Sequence, residues 1–333
     1  MNRPDDGGVV LAVDLGGTTL AAGLVRPSGD ILAQRLAPTA RRGRGEGILQ
    51  NLLETVSELC DEAQRVGLPI RGIGLGLPGI INTEAGSVGG EIQNLPELRG
   101  LPIRRILQER FDLPVAVDND VNALVLAEWF FGAGRDCRNL AVIAVGTGVG
   151  GGLILNGTLV RGAGGYGGEI GHIPIELDGR ECFCGSRGCV KAYASGPDIA
   201  DQARDLAKRG ESPRLLALAG GDPSRIDSPM VFSAASHGDP AALGVVAKAS
   251  QALGAAVAVL VNLCNPELIV LAGGVMEAGD ILLAPLRQWA ERYAFPGAFR
   301  GTRILRSALT KASGIRGAAA LFLYEERQSE RGG

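Results

Sequence analysis

The stretch GGEIGHIPIELDGRECFCGSRGCVKAYASG, residues 167–196, holds three of the chain's six cysteines and one of its two histidines. In a reducing compartment, thiols crowded in this way point to a metal rather than to disulfides. His172, Cys182, Cys184 and Cys189 follow the spacing H-x9-C-x-C-x4-C. Three thiolates and one imidazole suit a closed, tetrahedral structural zinc, and with four protein ligands such an ion activates no water. Cys60, Cys137 and Cys264 stand alone and read as small core fillers.

Phosphate chemistry is suggested elsewhere. Gly16-Gly17-Thr18 and Gly146-Thr147-Gly148 each end one apolar strand and lead into another, offering backbone N–H groups without a Cβ and a hydroxyl donor. A single turn of this kind is most simply a hairpin. Here two occupy matching places in similar units, LAVDLGGTTLAAGLV and LAVIAVGTGVGGGLIL, and a third pair, Gly273-Gly274, ends a later strand. Paired loops of this chemistry can grip a nucleotide's phosphates. No Gly-Lys-Ser/Thr follows either turn, and neither opens a helix, so they are not a P-loop or a dinucleotide fingerprint. Asp14, at the end of the first strand, is read either as a turn cap or as the carboxylate that positions Mg²⁺, through water, beside those phosphates.

In VDNDVNALVLAEW, Asp118, Asn119 and Asp120 stand where a strand meets a helix. Helix capping accounts for such residues. The alternative is that one Asp takes the proton from a hydroxyl while Asn119 hydrogen-bonds its neighbour, as phosphoryl transfer to an alcohol requires. The phosphate turns favour the second account.

These residues need a scaffold. At 333 residues the chain suits one large domain or two lobes, and two are expected. A hydrophobic content of 46% against 21% charged residues is that of a globular protein, and a net charge of −3 gives no general attraction to nucleic acid or anionic lipid. The longest apolar run, about residues 252–263, is shorter than the ~20 residues that span a bilayer. The opening MNRPDDGG lacks a secretory pattern, so a cytoplasmic location is expected. Periodicity predicts an antiparallel three-stranded meander, a helix over about 45–66, a buried strand at IRGIGLGLP and a short helix near 103–111. The strand PVAVDND follows, then a helix over about 121–131. The second half predicts the repeated strand–turn–strand, helices near 196–208 and 240–263, strands at PELIVLAGG and 303–305, and a final helix over about 312–326. The basic run Arg41–Gly45 reads as a solvated loop.

Taken together, AVDLGGTT, GLPG, VDNDVNA, AVGTGVGGGL, GGEIGH, CFCGSRGC and LCNPELIVLAGG resemble, in order and over most of the chain, the ROK family of sugar kinases and repressors. The resemblance implies an α/β, two-lobed actin-like ATPase (ribonuclease H-like) fold with an interlobe cleft. The lobes would be 9–118 plus 309–328, and 119–308 with the zinc loop and dimerisation helices. It implies ATP-dependent phosphorylation of a hexose or amino-sugar hydroxyl, with O6 the usual acceptor, in a homodimer or homotetramer that uses Mg²⁺ and binds neither nucleic acid nor membrane. By position, Asp120 is the catalytic base, and Gly79, Asn94, Asn119, Glu169 and His172 contact the sugar. Asp14, Gly16, Gly17, Thr18, Thr147, Gly148, Gly273 and Gly274 surround the nucleotide. His172 would serve twice, with one ring nitrogen on zinc and the other toward a sugar hydroxyl.

Two departures stand out. Lys191 occupies a substrate-binding position where the family's sugar kinases carry Glu. A donor-only ammonium cannot make a carboxylate's hydrogen bonds, so Lys191 is expected to pair with Glu169, to meet an acidic substrate group, or to turn outward. Lys311 stands where an Asp is common. A sugar-binding relative with altered substrate or weakened catalysis is therefore the alternative to a kinase. A repressor is not expected, because only eight residues precede Val9, too few for a DNA-binding domain.

Overall fold

The computed structural model describes residues 7–39, 47–89, 95–309 and 312–332. Two units form, one from Met1–Asp136, Arg161–Gly167 and Ala308–Gly333, the other from Cys137–Val160 and Gly168–Ser307.

In the first unit, β1 (Val9–Leu15), β2 (Thr19–Val25) and β3 (Ile31–Pro38) make the expected meander. Helix α1 (Ile48–Arg65) buries Leu52, Val56, Leu59 and Ala63, a stripe at helical spacing, and returns the chain to β4 (Ile70–Leu77), parallel to β1. The ribbon of β5 (Ile81–Asn82) and β6 (Ser87–Val88) precedes α2 (Ile103–Phe111), β7 (Val115–Asn119) and α3 (Asp120–Phe130). The sheet order is β3-β2-β1-β4-β7. Alternation along β1 and β4 sends Leu11, Val13, Leu15, Ile73, Leu75 and Leu77 into one core.

The second unit repeats this plan. Strands β8 (Leu140–Val145), β9 (Val149–Leu155) and β10 (Thr158–Leu159) are followed by helices α4 (Lys191–Ala194), α5 (Gly196–Lys208), α6 (Pro213–Leu218), α7 (Ser228–Ser236) and α8 (Pro240–Cys264). Then come β11 (Leu268–Ala272), α9 (Asp280–Tyr293), α10 (Pro296–Gly301) and β12 (Arg303–Arg306). The order β10-β9-β8-β11-β12 matches the first sheet strand for strand, which is the structural form of the internal repeat. Helix α8 is longer than the apolar run read from sequence. By length and composition it could cross a membrane (mean hydropathy 1.7), but 67% of that window is buried in the unit's own packing. Gly254 lets α8 approach α9 closely, since a Cβ there would lie 2.5 Å from that of Trp289.

The last helix, α11 (Ser313–Gly332), packs on the first unit's sheet. It lies on the glycine face of β4. A Cβ at Gly74 would sit 1.8 Å from the Ala318 carbonyl oxygen, and one at Gly72 2.1 Å from the Phe322 ring. Because α3 packs along α11, the first unit runs past the expected boundary at Asp118 to Asp136, and it also takes in residues 161–167.

Candidate active site

Strand register gathers the first unit's acids. Asp14 on β1 pairs with Gly76 on β4, and Gly76 with Asp118 on β7. Paired residues of parallel strands face the same way, so both carboxylates project from the carboxyl ends of the strands, the usual place for ligands in such sheets. A Cβ at Gly76 would lie 3.5 Å from that of Ala123 and 3.8 Å from the Asp120 Cα, so α3 begins against this part of β4. Asn119 does the capping. Its Oδ1 accepts from the Val121 and Asn122 N–H groups at 2.8 and 3.3 Å, while its Nδ2 donates to the Gly79 carbonyl at 2.8 Å. Asp120, the first residue of α3, shares only one of these donors, its Oδ1 accepting from the Val121 N–H at 2.9 Å.

Two of these carboxylates have unusual acidity. Burial raises Asp14 to about 6. Burial, then the charge of Asp14, raises Asp120 to about 6 against the opposing hydrogen bond from the Val121 N–H. The first turn of α11 closes over Asp14, for a Cβ at Gly314 would lie 1.8 Å from its Oδ2. Sequence reasoning missed this contact, although the spacing of Gly314, Gly317 and Ala318 could have signalled a close helix face. The Gly16–Thr18 turn is fixed from behind, with Thr39 Oγ1 donating to the Gly16 carbonyl at 2.6 Å and Gly17 and Thr18 exposed.

In the second unit, β8 and β11 bring two glycine turns together. Gly273 has φ +94°, and a Cβ there would lie 2.3 Å from the Val145 carbonyl oxygen. A Cβ at Gly146, Gly148 or Gly274 would meet nothing within 4 Å, and Thr147 is exposed. Packing does not require glycine at those three positions, which border open space.

His172, Cys182, Cys184 and Cys189 converge, with all their ligand atoms within 4.8 Å of one another. Cys184 Sγ lies 3.8 Å from Cys189 Sγ, and Cys182 Sγ lies 3.6 Å from His172 Nδ1. A tetrahedral zinc with bonds of ~2.3 Å to sulfur and ~2.0–2.1 Å to nitrogen spaces its ligands by about these distances. Burial and the neighbouring sulfurs push the Cys189 thiol up to about 12, so three thiolates here call for a cation. Nδ1 faces the sulfurs, leaving Nε2 as the second ring nitrogen. Exposed Glu169 precedes this turn, its carbonyl accepting the His172 N–H at 3.1 Å.

Lys191 does not pair with Glu169 and is not solvated. Its Nζ lies 2.9 Å from Asp198 Oδ2 and 4.8 Å from the centre of the Phe183 ring, with 16% of the side chain exposed. The reason is local: Asp198 sits in the first turn of α5, held by the Ser195 cap one helical turn from Lys191. Asn94, Lys311 and the Arg41–Gly45 run lie outside the described residues.

The sequence pattern of the ROK family matches residues 10–325. A glucokinase of Thermotoga maritima is 37% identical, over 94% of this chain and 96% of its own length. A xylose repressor of Caldicellulosiruptor bescii is 30% identical, over 96% of this chain and 79% of its own. Among solved structures, a ROK family glucokinase from Streptomyces griseus, in complex with glucose and AMPPNP, superposes with a TM-score of 0.77 at 32% identity, covering 94% of this chain and 99% of that one. The two mixed five-stranded sheets are thus the actin-like ATPase fold of these relatives.

Proposed function

From the premise that this chain belongs to the ROK family, we propose that it transfers the γ-phosphoryl group of ATP to a hexose hydroxyl, with glucose the first candidate and O6 the acceptor. Membership alone spans kinases and repressors. The observation that carries the kinase reading is Asp120: a half-buried carboxylate at the head of α3, raised to about 6, with Asn119 serving as the helix cap. Such a group is ionised at neutral pH yet basic enough to take a proton as the hydroxyl oxygen bonds to the γ-phosphorus and the bond to ADP breaks.

The other residues have complementary tasks. Asn119, Glu169, Gly79 and His172 Nε2 would orient sugar hydroxyls, and Asn94 is assigned the same task. The turns at Gly16-Gly17-Thr18, Thr147-Gly148 and Gly273-Gly274 would cradle phosphate oxygens with backbone N–H groups. Asp14 would hold Mg²⁺ through water, and the ion when bound neutralises charge on the transferring phosphoryl group. Zinc on His172 Nδ1, Cys182, Cys184 and Cys189 would be structural, locking the imidazole's orientation. A cytoplasmic homodimer or homotetramer completes this reading.

Lys191 favours a second reading, a sugar-binding relative without turnover, because its ammonium is locked to Asp198 where the family's kinases carry a carboxylate. One experiment separates the two: ADP release screened over glucose, mannose, fructose, N-acetylmannosamine, N-acetylglucosamine and aminoglucoses, with Asp120→Asn as control. The kinase reading expects release with at least one sugar and its loss, by about a thousandfold or more, in Asp120→Asn, while sugar binding stays within about fivefold. Sugar binding with no ADP release from the native chain selects the second reading. Full activity in Asp120→Asn rejects the assignment of the base.

A further inference from the structure

Arg161 opens the short segment Arg161–Gly167, which belongs to the first unit although it follows β10 of the second. Its guanidinium holds two carboxylates. Nε donates to Asp118 Oδ2 at 2.6 Å, and Nη2 to Glu325 Oε1 of α11 at 2.5 Å. It also lies over the Tyr324 ring, 5.5 Å from the centroid. Burial opposes the cation, but Asp118 and Glu325 outweigh it and hold the group above the ordinary arginine range.

Asp118 is more deeply buried, with 3% of its side chain exposed, and its two oxygens do different things. Oδ2 is occupied by Arg161. Oδ1 accepts from the Asn119 N–H at 2.7 Å and from Asn122 Nδ2 at 2.9 Å. One carboxylate therefore ties down the residue before Asp120 and a residue one turn on, and Asn119 in turn caps the helix. The guanidinium divides its fork, Nε on Asp118 and Nη2 on Glu325, so it anchors Oδ2 and ties that carboxylate to α11; without it, a buried charge is left to rotate or to draw in water.

We propose that Arg161 is a positioning residue for the base: through Asp118 it fixes the first turn of α3, and with it the direction in which Asp120 presents its carboxylate. The proposal rests on Asp120 being the base. Displacement of a reacting group by about 1 Å is enough to cost on the order of a hundredfold in rate. Asp118 holds Asn119 by its backbone N–H, whereas the Asn119 side chain keeps its own bonds to the Gly79 carbonyl and the Val121 N–H, so the loss of Arg161 falls mainly on kcat and little on KM. A lysine supplies the charge as a single point and not as a fork, so Arg161→Lys restores only part of the function.

The test compares Arg161→Gln, Arg161→Lys, Asp118→Asn, the Arg161→Gln/Asp118→Asn double variant and Glu325→Gln in the full, zinc-loaded chain. ADP release is measured with a sugar that the native chain phosphorylates. The expected result is a kcat lower by about thirty- to a hundredfold in Arg161→Gln and about tenfold in Arg161→Lys, with KM for sugar and ATP within about twofold. The double variant should be no worse than the poorer single one, because Arg161 acts through Asp118, and Glu325→Gln should stay within about twofold of native. Hydrogen–deuterium exchange gives a readout that needs no turnover: the peptide spanning the start of α3 should exchange about tenfold faster in the Arg161 and Asp118 variants, with β8 and β11 unchanged. An unchanged kcat, losses that multiply in the double variant, or unmoved exchange at α3 overturns the proposal. If Arg161→Gln does not fold, Arg161→Lys and Asp118→Asn carry the same test. If the native chain releases no ADP with any sugar, the reading of Asp120 fails, and exchange alone decides whether Arg161 holds the turn.

Discussion

Asp14 and Asp120 are two half-buried carboxylates that the fold keeps near each other at a cost to its own stability. Both stand at about 6 in the folded chain, above the ordinary 3.8. The folded state thus binds more protons than the unfolded one between those values, so stability falls as pH rises through that window and the full penalty is felt above it. Asp120→Asn should raise the stability of the ligand-free protein by about 2 kcal/mol at pH 8, a few °C in Tm, and have no such effect at pH 4. Thermal melts at the two pH values check this, and equal shifts at both would show that the charge is not the cause. The same ionisation should set the acid limb of kcat/KM near pH 6. Asp14→Asn should move that limb to lower pH even as it slows the reaction, since the charge of Asp14 helps to raise Asp120.

Among the elements, glycines divide into those that packing demands and those that border open space. A Cβ at Gly171 would lie 2.0 Å from the Val149 carbonyl oxygen, and one at Gly151 2.6 Å from Ile170, so the turn carrying Glu169 and His172 sits flush on β9. Gly171→Ala should push His172 out of register with the three thiols, and zinc retained after dialysis against a mild chelator should drop well below one per chain. Gly148 has no such neighbour. Gly148→Ala should leave zinc content and Tm unchanged while raising KM for ATP about tenfold, because the methyl group takes phosphate space. Equal KM values would remove that turn from the nucleotide's surroundings.

At the scale of the molecule, the chain's end completes the unit that its beginning starts. Deleting 309–333 uncovers the glycine face of β4 and the Asp14 side of β1, so amide exchange in β1 and β4 should approach the unfolded limit while β8 and β11 keep their protection. Protection retained in β1 and β4 would show that α11 is dispensable. The sequence by itself determined what depends on neighbours along the chain: strand and helix periods, the doubled strand–turn–strand and the spacing of His172 with its three cysteines. Helix α9 stayed hidden because Pro285 lies inside it, where proline ordinarily marks an end. What only the tertiary structure decided were the long-range meetings: Arg161 with Asp118, Gly314 with Asp14, and the capture of Lys191 by Asp198 in preference to Glu169. Local patterns specify backbone conformation through steric and hydrogen-bond rules a few residues wide. Which charge meets which carboxylate depends on strand register and helix docking, and these are settled by burial of the whole apolar surface at once.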